Sequence, residues 1–145
     1  MGAVEARLFA KEGAKVGLGD VLEEEGRQVE ATINNTGGEA LFTRLDVTSE
    51  SDWEEAISTT VDRFGKLDIL VNNAGVSSGP NLVEDVLVDE WHRVMDINAK
   101  GVFLGTRAAI FRMRRSGGGS IINISSTLGL VGVDDSSPQY QAAKG

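Results

Sequence analysis

The 145 residues include no cysteine, so disulfide bonds and thiolate metal sites are excluded. A single histidine, His92, cannot build a histidine metal cluster. Basic residues are in the minority, with 14 Lys and Arg against 22 Asp and Glu and a formal net charge of -8. They form no long run, and a surface for nucleic acid needs a basic face, so nucleic acid is not an expected partner. No apolar run approaches the ~18 residues of a membrane span, so no membrane partner is expected either. Repeats and low-complexity tracts are absent too. What is present is 41% hydrophobic residues, enough for one core, and the expectation is a single acidic domain in the cytoplasm.

Short apolar segments alternate with helical patterns. Gly2 to Lys11 is helical in composition, with Val4 and Leu8 on one face and Glu12-Gly13 as a stop. Val16 and Leu18 alternate with Gly17 and Gly19 up to Asp20, a short strand. The following helix, from about Leu22 to Asn34, has Leu22, Val29 and Ile33 on its inner stripe and Glu30 among the outward residues. Ala40 to Val47 has strand character, and Thr48 or Ser49 caps a helix whose Trp53, Ile57, Thr60, Val61 and Phe64 share a face before Gly65 closes it. Leu67 to Val71 is nearly continuously apolar, as a strand buried on both faces should be. A long helix is expected from about Asp89 to Arg115, and Asn98 interrupts its apolar stripe of Trp91, Val94, Met95, Val102, Thr106, Ala109, Ile110 and Met113. The last strand is Ser120 to Ile124. This alternation predicts an α/β fold, a doubly wound parallel sheet with helices on both faces.

In such sheets ligands sit outside the carboxyl ends of the strands, and Asp20, Asp46, Asn72 with Asn73, and Ser126 all fall at strand ends. Beyond the last strand, Ser137 and Pro138 signal a helix start that places Tyr140 and Lys144 one turn apart on a shared face. The spacing has a chemical use. A phenol, with an ordinary pKa of ~10, is a poor proton donor or acceptor at neutral pH, and a cation held nearby favours the phenolate. Ser125 or Ser126 could donate a hydrogen bond to a substrate oxygen that gains negative charge. Asn98 is either a satisfied structural amide or a functional one, because a buried amide must find partners. Asp20 can accept both ribose hydroxyls of NAD and repels the extra phosphate of NADP, or it merely caps the next helix.

Asn72-Asn73-Ala74-Gly75, Asn98, Ser126, and Tyr140 with Lys144, in this order and on these elements, resemble the classical short-chain dehydrogenases/reductases along nearly the whole chain. The resemblance implies a Rossmann-like fold and an oxidoreductase that interconverts a secondary alcohol and a ketone with NAD rather than NADP. Tyr140 would be the general acid/base and Lys144 would tune it and hold the nicotinamide ribose. Ser126 would orient the substrate oxygen, and Asn98 would hold a water of the proton relay. Gly2, Asp46 and Val47 would lie along the dinucleotide, the latter two beside the adenine, and Asn73, Ala74 and Gly75 would line its channel. The loop from Ser126 to Tyr140 is one residue longer than the family's commonest pattern, which keeps Thr127 as an alternative to Ser126. A homo-oligomer, tetramer or dimer, built on the long helix is also implied. The alternative is a catalytically silent nucleotide-binding module of the same fold.

Two departures from the family pattern set a further expectation. Of the family's opening strand and glycine-rich turn only Gly2 corresponds, and its closing strands have no counterpart after Gly145. The 145 residues are therefore expected to behave as a fragment lacking the first and the C-terminal strands, with unpaired backbone edges and little stability alone.

Overall fold

The computed structural model describes residues 1–134 and 136–145. Its elements in chain order are α1 (Gly2–Lys11), β1 (Lys15–Asp20), α2 (Glu23–Asn35), β2 (Glu39–Arg44), α3 (Glu50–Phe64), β3 (Ile69–Asn72), α4 (Val88–Met95), α5 (Gly101–Met113), β4 (Ser120–Asn123) and α6 (Pro138–Lys144). A π-helical turn, Asp96–Lys100, joins α4 to α5 without a break.

The four strands form two parallel pairs, β1 with β2 and β3 with β4, in place of one continuous sheet. Between the pairs runs a cleft of about 770 Å³, lined by residues of β1 on one side and β3 on the other. The edge of β1 turned from β2 and the edge of β3 turned from β4 have no strand partner among the described residues. That opening explains why β3 is not buried on both faces: Ile69 lines the cleft and is 41% exposed. Helices α1 and α2 pack together against the first pair, whereas α3 and α5 pack together over β1, β2 and β3. The arrangement is a partial Rossmann-like α/β fold.

The core lies under α3 and α5, where Leu45, Trp53, Ile57, Leu70, Leu104 and Met113 are buried together. Burying a side chain of this size contributes ~1.5–3 kcal/mol. Trp53 also satisfies its polar edge, its indole N–H donating to the carbonyl of Val47 at 3.0 Å. Helix α3 starts as expected of a capped helix, with the Ser49 hydroxyl accepting from the Asp52 N–H, and stops at Gly65 in the left-handed region, φ 92°.

Three helix faces differ from expectation. In α1 the shared face of Val4 and Leu8 points outward, 66% and 58% exposed, and Ala6 is buried instead; small residues let the helix approach the cleft closely. In α2, Leu22 stands before the first turn and is exposed, while Glu30 turns inward and accepts the Phe42 N–H at 3.0 Å, occupying a donor of edge strand β2. In the long helix Val94, Asn98, Ala109 and Met113 of the expected stripe are buried, but Trp91 and Ile110 are exposed, and Gly101, Leu104 and Gly105 beyond the π turn are buried as well. None of the helices of the described residues is long and apolar enough to cross a membrane.

Candidate active site

Asn98 lies in the π turn. The residue is 2% exposed and its amide clasps the backbone of Val76 from both sides, Oδ1 accepting the N–H and Nδ2 donating to the carbonyl, each at 2.8 Å. Asn98 thus fixes the chain just past Asn72-Asn73-Ala74-Gly75. One amide N–H and one oxygen lone pair remain for a water or another ligand. Both alternatives for this residue are therefore compatible in one side chain.

Helix α6 begins where its sequence signals a start. The Ser137 hydroxyl accepts the Tyr140 N–H at 3.3 Å, and Pro138 occupies the first helical position. Tyr140 and Lys144 share a face, with Lys144 Nζ 6.0 Å from the centre of the phenol ring. The ammonium donates to the Ile124 carbonyl at 2.7 Å, at the carboxyl end of β4. A methyl group on Gly75 would stand 3.4 Å from Lys144 Nζ and 3.4 Å from Asn98 Oδ1. The bare glycine leaves a small space bordered by both polar groups.

The two serines after β4 have different surroundings. Ser125 Oγ donates to the Lys144 carbonyl at 2.7 Å, which satisfies a carbonyl at the end of α6 and commits that hydroxyl. Ser126 Oγ accepts the Leu128 N–H at 3.2 Å, and its own proton has no acceptor among the described residues. Of the pair, only Ser126 keeps a donor for a ligand. Thr127 is exposed and opens the turn Thr127–Gly129, which packs against α6. Gly129 permits that contact, since a methyl group there would meet the Lys144 carbonyl oxygen at 2.1 Å. The longer loop leading on to Tyr140 contains residue 135, which lies outside the described residues.

Five of the residues expected along a dinucleotide line the cleft. Gly2, Asp20, Val47, Asn73 and Ala74 all line it, and Asp46 adjoins Val47. Asp20 is exposed at the end of β1; its Oδ1 accepts the Leu22 N–H at 3.0 Å, which leaves Oδ2 without a hydrogen bond among the described residues. Capping and ligand binding are thus not exclusive for this carboxylate. Asp46 is held by its own loop, with Oδ1 accepting the N–H and the hydroxyl of Thr48 at 2.9 and 2.8 Å. Gly2 opens α1 with no side-chain cap, and a methyl group there would lie 2.9 Å from the Asn73 amide nitrogen. Uncapped N–H groups at the start of a helix, pointing toward a cleft, suit an anionic group such as a pyrophosphate. These features fit a dinucleotide, with Ala74 in the cleft and Gly75 beside the Lys144 and Asn98 groups.

Asn72 ties the strand ends together below this space. Its Nδ2 donates to Asn123 Oδ1 across the β3–β4 pair at 2.9 Å and to Thr106 Oγ1 at 3.3 Å. Nothing in the sequence singles out Ser78 or Gln139, yet Gln139, the second residue of α6, donates to Ser78 of the loop leaving β3. No pattern in the chain announces that contact, because the two residues are 61 positions apart.

A profile of the short chain dehydrogenase family matches residues 1–145. The chain is 49% identical to trans-4-hydroxycyclohexanecarboxylate dehydrogenase of Sinomonas cyclohexanicum, with 99% of this chain and 57% of the relative covered. It is 46% identical to cyclopentanol dehydrogenase of Comamonas testosteroni, over 100% of this chain and 57% of the relative. Identity to the 3-alpha-(or 20-beta)-hydroxysteroid dehydrogenase of Mycobacterium tuberculosis (strain ATCC 25618 / H37Rv) is 47%, over 91% of this chain and 49% of the relative. The chain spans about half the length of these curated relatives. By its sequence along its entire length, it belongs to the short chain dehydrogenase family.

Proposed function

We propose that the chain carries the dinucleotide-binding and proton-transfer residues of an NAD-dependent dehydrogenase that interconverts a cyclic secondary alcohol and its ketone. The observation that carries this reading is that Lys144 and Asn98 border Gly75, with the Tyr140 ring 6.0 Å from the Lys144 ammonium, next to a cleft lined by Asp20, Asn73 and Ala74. The ring in the substrate is suggested by the names of the relatives, whose alcohols are cyclohexane, cyclopentane and steroid compounds.

Bound nicotinamide would supply the acceptor for the hydride leaving the carbinol carbon. The chain's own residues do the rest. Tyr140 takes the alcohol proton, or returns it to the ketone oxygen in reduction. Ser126 turns its free hydroxyl proton toward the same oxygen and stabilises the charge that develops there. Lys144, anchored on the Ile124 carbonyl, places a positive charge beside the phenol, and its remaining N–H groups are available to ribose hydroxyls. Asn98 uses its spare N–H and lone pair to hold a water that passes protons from this group to solvent. Asp20 Oδ2 accepts from the adenosine ribose, where a further phosphate would be repelled, which favours NAD over NADP. Gly2, Asp46, Val47, Asn73, Ala74 and Gly75 hold the rest of the dinucleotide. Exposed Phe103, Ile110 and Phe111 on α5 support a homo-oligomer formed through that helix.

The test is turnover of cyclopentanol or a hydroxycyclohexane carboxylate with NAD, by the protein expressed from its whole gene, beside Tyr140→Phe. General acid/base groups contribute ~10²–10⁴-fold, and a fall of that size with NADH binding retained is the expected result. Turnover indifferent to Tyr140→Phe would overturn the reading.

A further inference from the structure

Helix α6 is short, only Pro138–Lys144, and a helix of seven residues has too few internal hydrogen bonds to hold its own position. Its carboxyl end is anchored to the end of β4 through Lys144 Nζ and Ser125. Its amino end is anchored differently. Gln139 is fully buried and its Nε2 donates to Ser78 Oγ; Ser78 Oγ shares a hydrogen bond of 2.8 Å with Ser137 Oγ; and Ser137, 3% exposed, accepts the Tyr140 N–H. Three polar side chains are thereby linked in a row, ending on the backbone of the tyrosine. Such rows are mutually polarising, and a buried one left half-made is costly, so the arrangement is stiff. Ser78 belongs to the same loop as Val76, which Asn98 clasps from the other side. The loop leaving β3 is therefore fastened to Asn98 at Val76 and to the start of α6 at Ser78.

The geometry points to Ser78 and Gln139 as positioning residues: together with the cap Ser137 they fix the start of α6 to the loop leaving β3, and so set where the Tyr140 hydroxyl stands relative to Asn98 and Lys144. This rests on the reading of Tyr140 as the proton-transfer group. Pinned at both ends, the helix cannot slide or roll without breaking bonds to two separate strand ends. Misplacement of a reacting group by about an ångström costs up to ~10²-fold in rate, so a device that holds one residue to that tolerance has a kinetic purpose. Gln139 also has an oxygen that is buried with no partner among the described residues.

The experiment uses the protein expressed from its whole gene, with cyclopentanol and NAD as the probe. Ser78→Ala should lower kcat about 10- to 100-fold with the KM for NAD unchanged, and Ser78→Thr, which keeps the hydroxyl, should recover most of it. The double variant Ser78→Ala/Gln139→Leu removes the donor together with its acceptor, so its melting temperature should return toward the parent value while kcat stays low. If kcat returns with the melting temperature, the cluster is merely structural and the inference fails. A second measurement does not require turnover. With 3-fluorotyrosine at Tyr140, identified by its loss in Tyr140→Phe, the fluorine resonance should be single in the parent and in Ser78→Thr, and broadened or split in Ser78→Ala. An unchanged single resonance in Ser78→Ala overturns the inference. Absence of turnover in the parent, with that resonance responding as described, would instead sink the proposed function and leave the positioning role standing.

Discussion

The two halves of the site are held together by different kinds of bond. On the side of β1 and β2, the polar candidates are tied by their immediate neighbours: Asp20 to the Leu22 N–H and Asp46 to Thr48, each two residues on. On the side of β3, β4 and α6, the ties cross the fold, from Asn98 to Val76, Lys144 to Ile124, Asn72 to Asn123 and Ser78 to Ser137. A locally held carboxylate can shift to meet a ligand. A side chain held from several elements cannot, and proton transfer needs that fixity more than ribose recognition does. The contrast teaches which substitutions will spread and which will stay put.

The largest effect expected is on the fixed side. Tyr140→Phe deletes a hydroxyl and leaves the ties of α6 intact, because these run through the Tyr140 N–H, Ser137 and Lys144. Turnover should fall ~10²–10⁴-fold, while the melting temperature and the NADH affinity read by fluorescence stay within error. A large loss of stability would show that the phenol itself is part of the scaffold, which would blur the comparison.

Asn98→Leu comes next, and it should spread. Removing the amide leaves the Val76 N–H and carbonyl without their partner, at ~1–3 kcal/mol for each group that stays buried. Denaturant melts should show a loss of a few kcal/mol, and kcat should fall with it because the loop carrying Ser78 loses one of its two anchors. Combination with Ser78→Ala should be non-additive, since the two residues hold one loop. Additive losses would break the idea of a single cross-linked unit.

Asp20→Asn probes the local side. The amide still accepts the Leu22 N–H, so stability should change by less than ~0.5 kcal/mol. What should change is the ratio of kcat/KM for NAD over NADP, falling about 10-fold as the charge that repels the extra phosphate disappears. Steady-state kinetics with both cofactors measures it, and an unaltered ratio would move the discrimination elsewhere in the cleft.

The same distinction governs how much the sequence disclosed. The presence of the strands, the Ser137 cap, the α3 cap as one of Thr48 or Ser49, and the Tyr140 to Lys144 turn were legible because each depends on residues within a few positions of one another, although β2 ends at Arg44, two residues before Asp46. The partner of Asn98 was not, nor were the roles of Ser78 and Gln139, because a hydroxyl or amide carries no mark of which distant backbone it will meet. Helix faces failed where a local rule was overridden. Trp91 and Ile110 are exposed although Val94 and Ala109 of the same stripe are buried, and the need of β2 for an acceptor drew Glu30 inward. The separation of the strand pairs was foreseen as unpaired edges, though its form, a cleft of about 770 Å³ holding five of the candidate residues, came only from the fold.

The smallest effect tests the local side through pH. Asp52 is held below its ordinary carboxyl value of 3.8, first by the Ser49 hydroxyl, which donates to it at 2.6 Å, then by the Asp46 N–H, with Arg44 beside it. A carboxyl depressed in the folded state contributes stability that is present above 3.8 and is lost as the pH falls through its lower folded value. Ser49→Ala removes both that donor and the cap on the Asp52 N–H, so stability at neutral pH should fall. Part of the loss is the hydroxyl's bond to ionised Asp52, so the gap between variant and parent should narrow as the solution is taken from pH 6 toward pH 3. Urea melts at the two ends of that range measure it, and they should do so with no change in the kinetics of the Tyr140 side. A gap that does not change on acidification would mean that Asp52 is held by charges beyond its own loop, and the local half would then resemble the other.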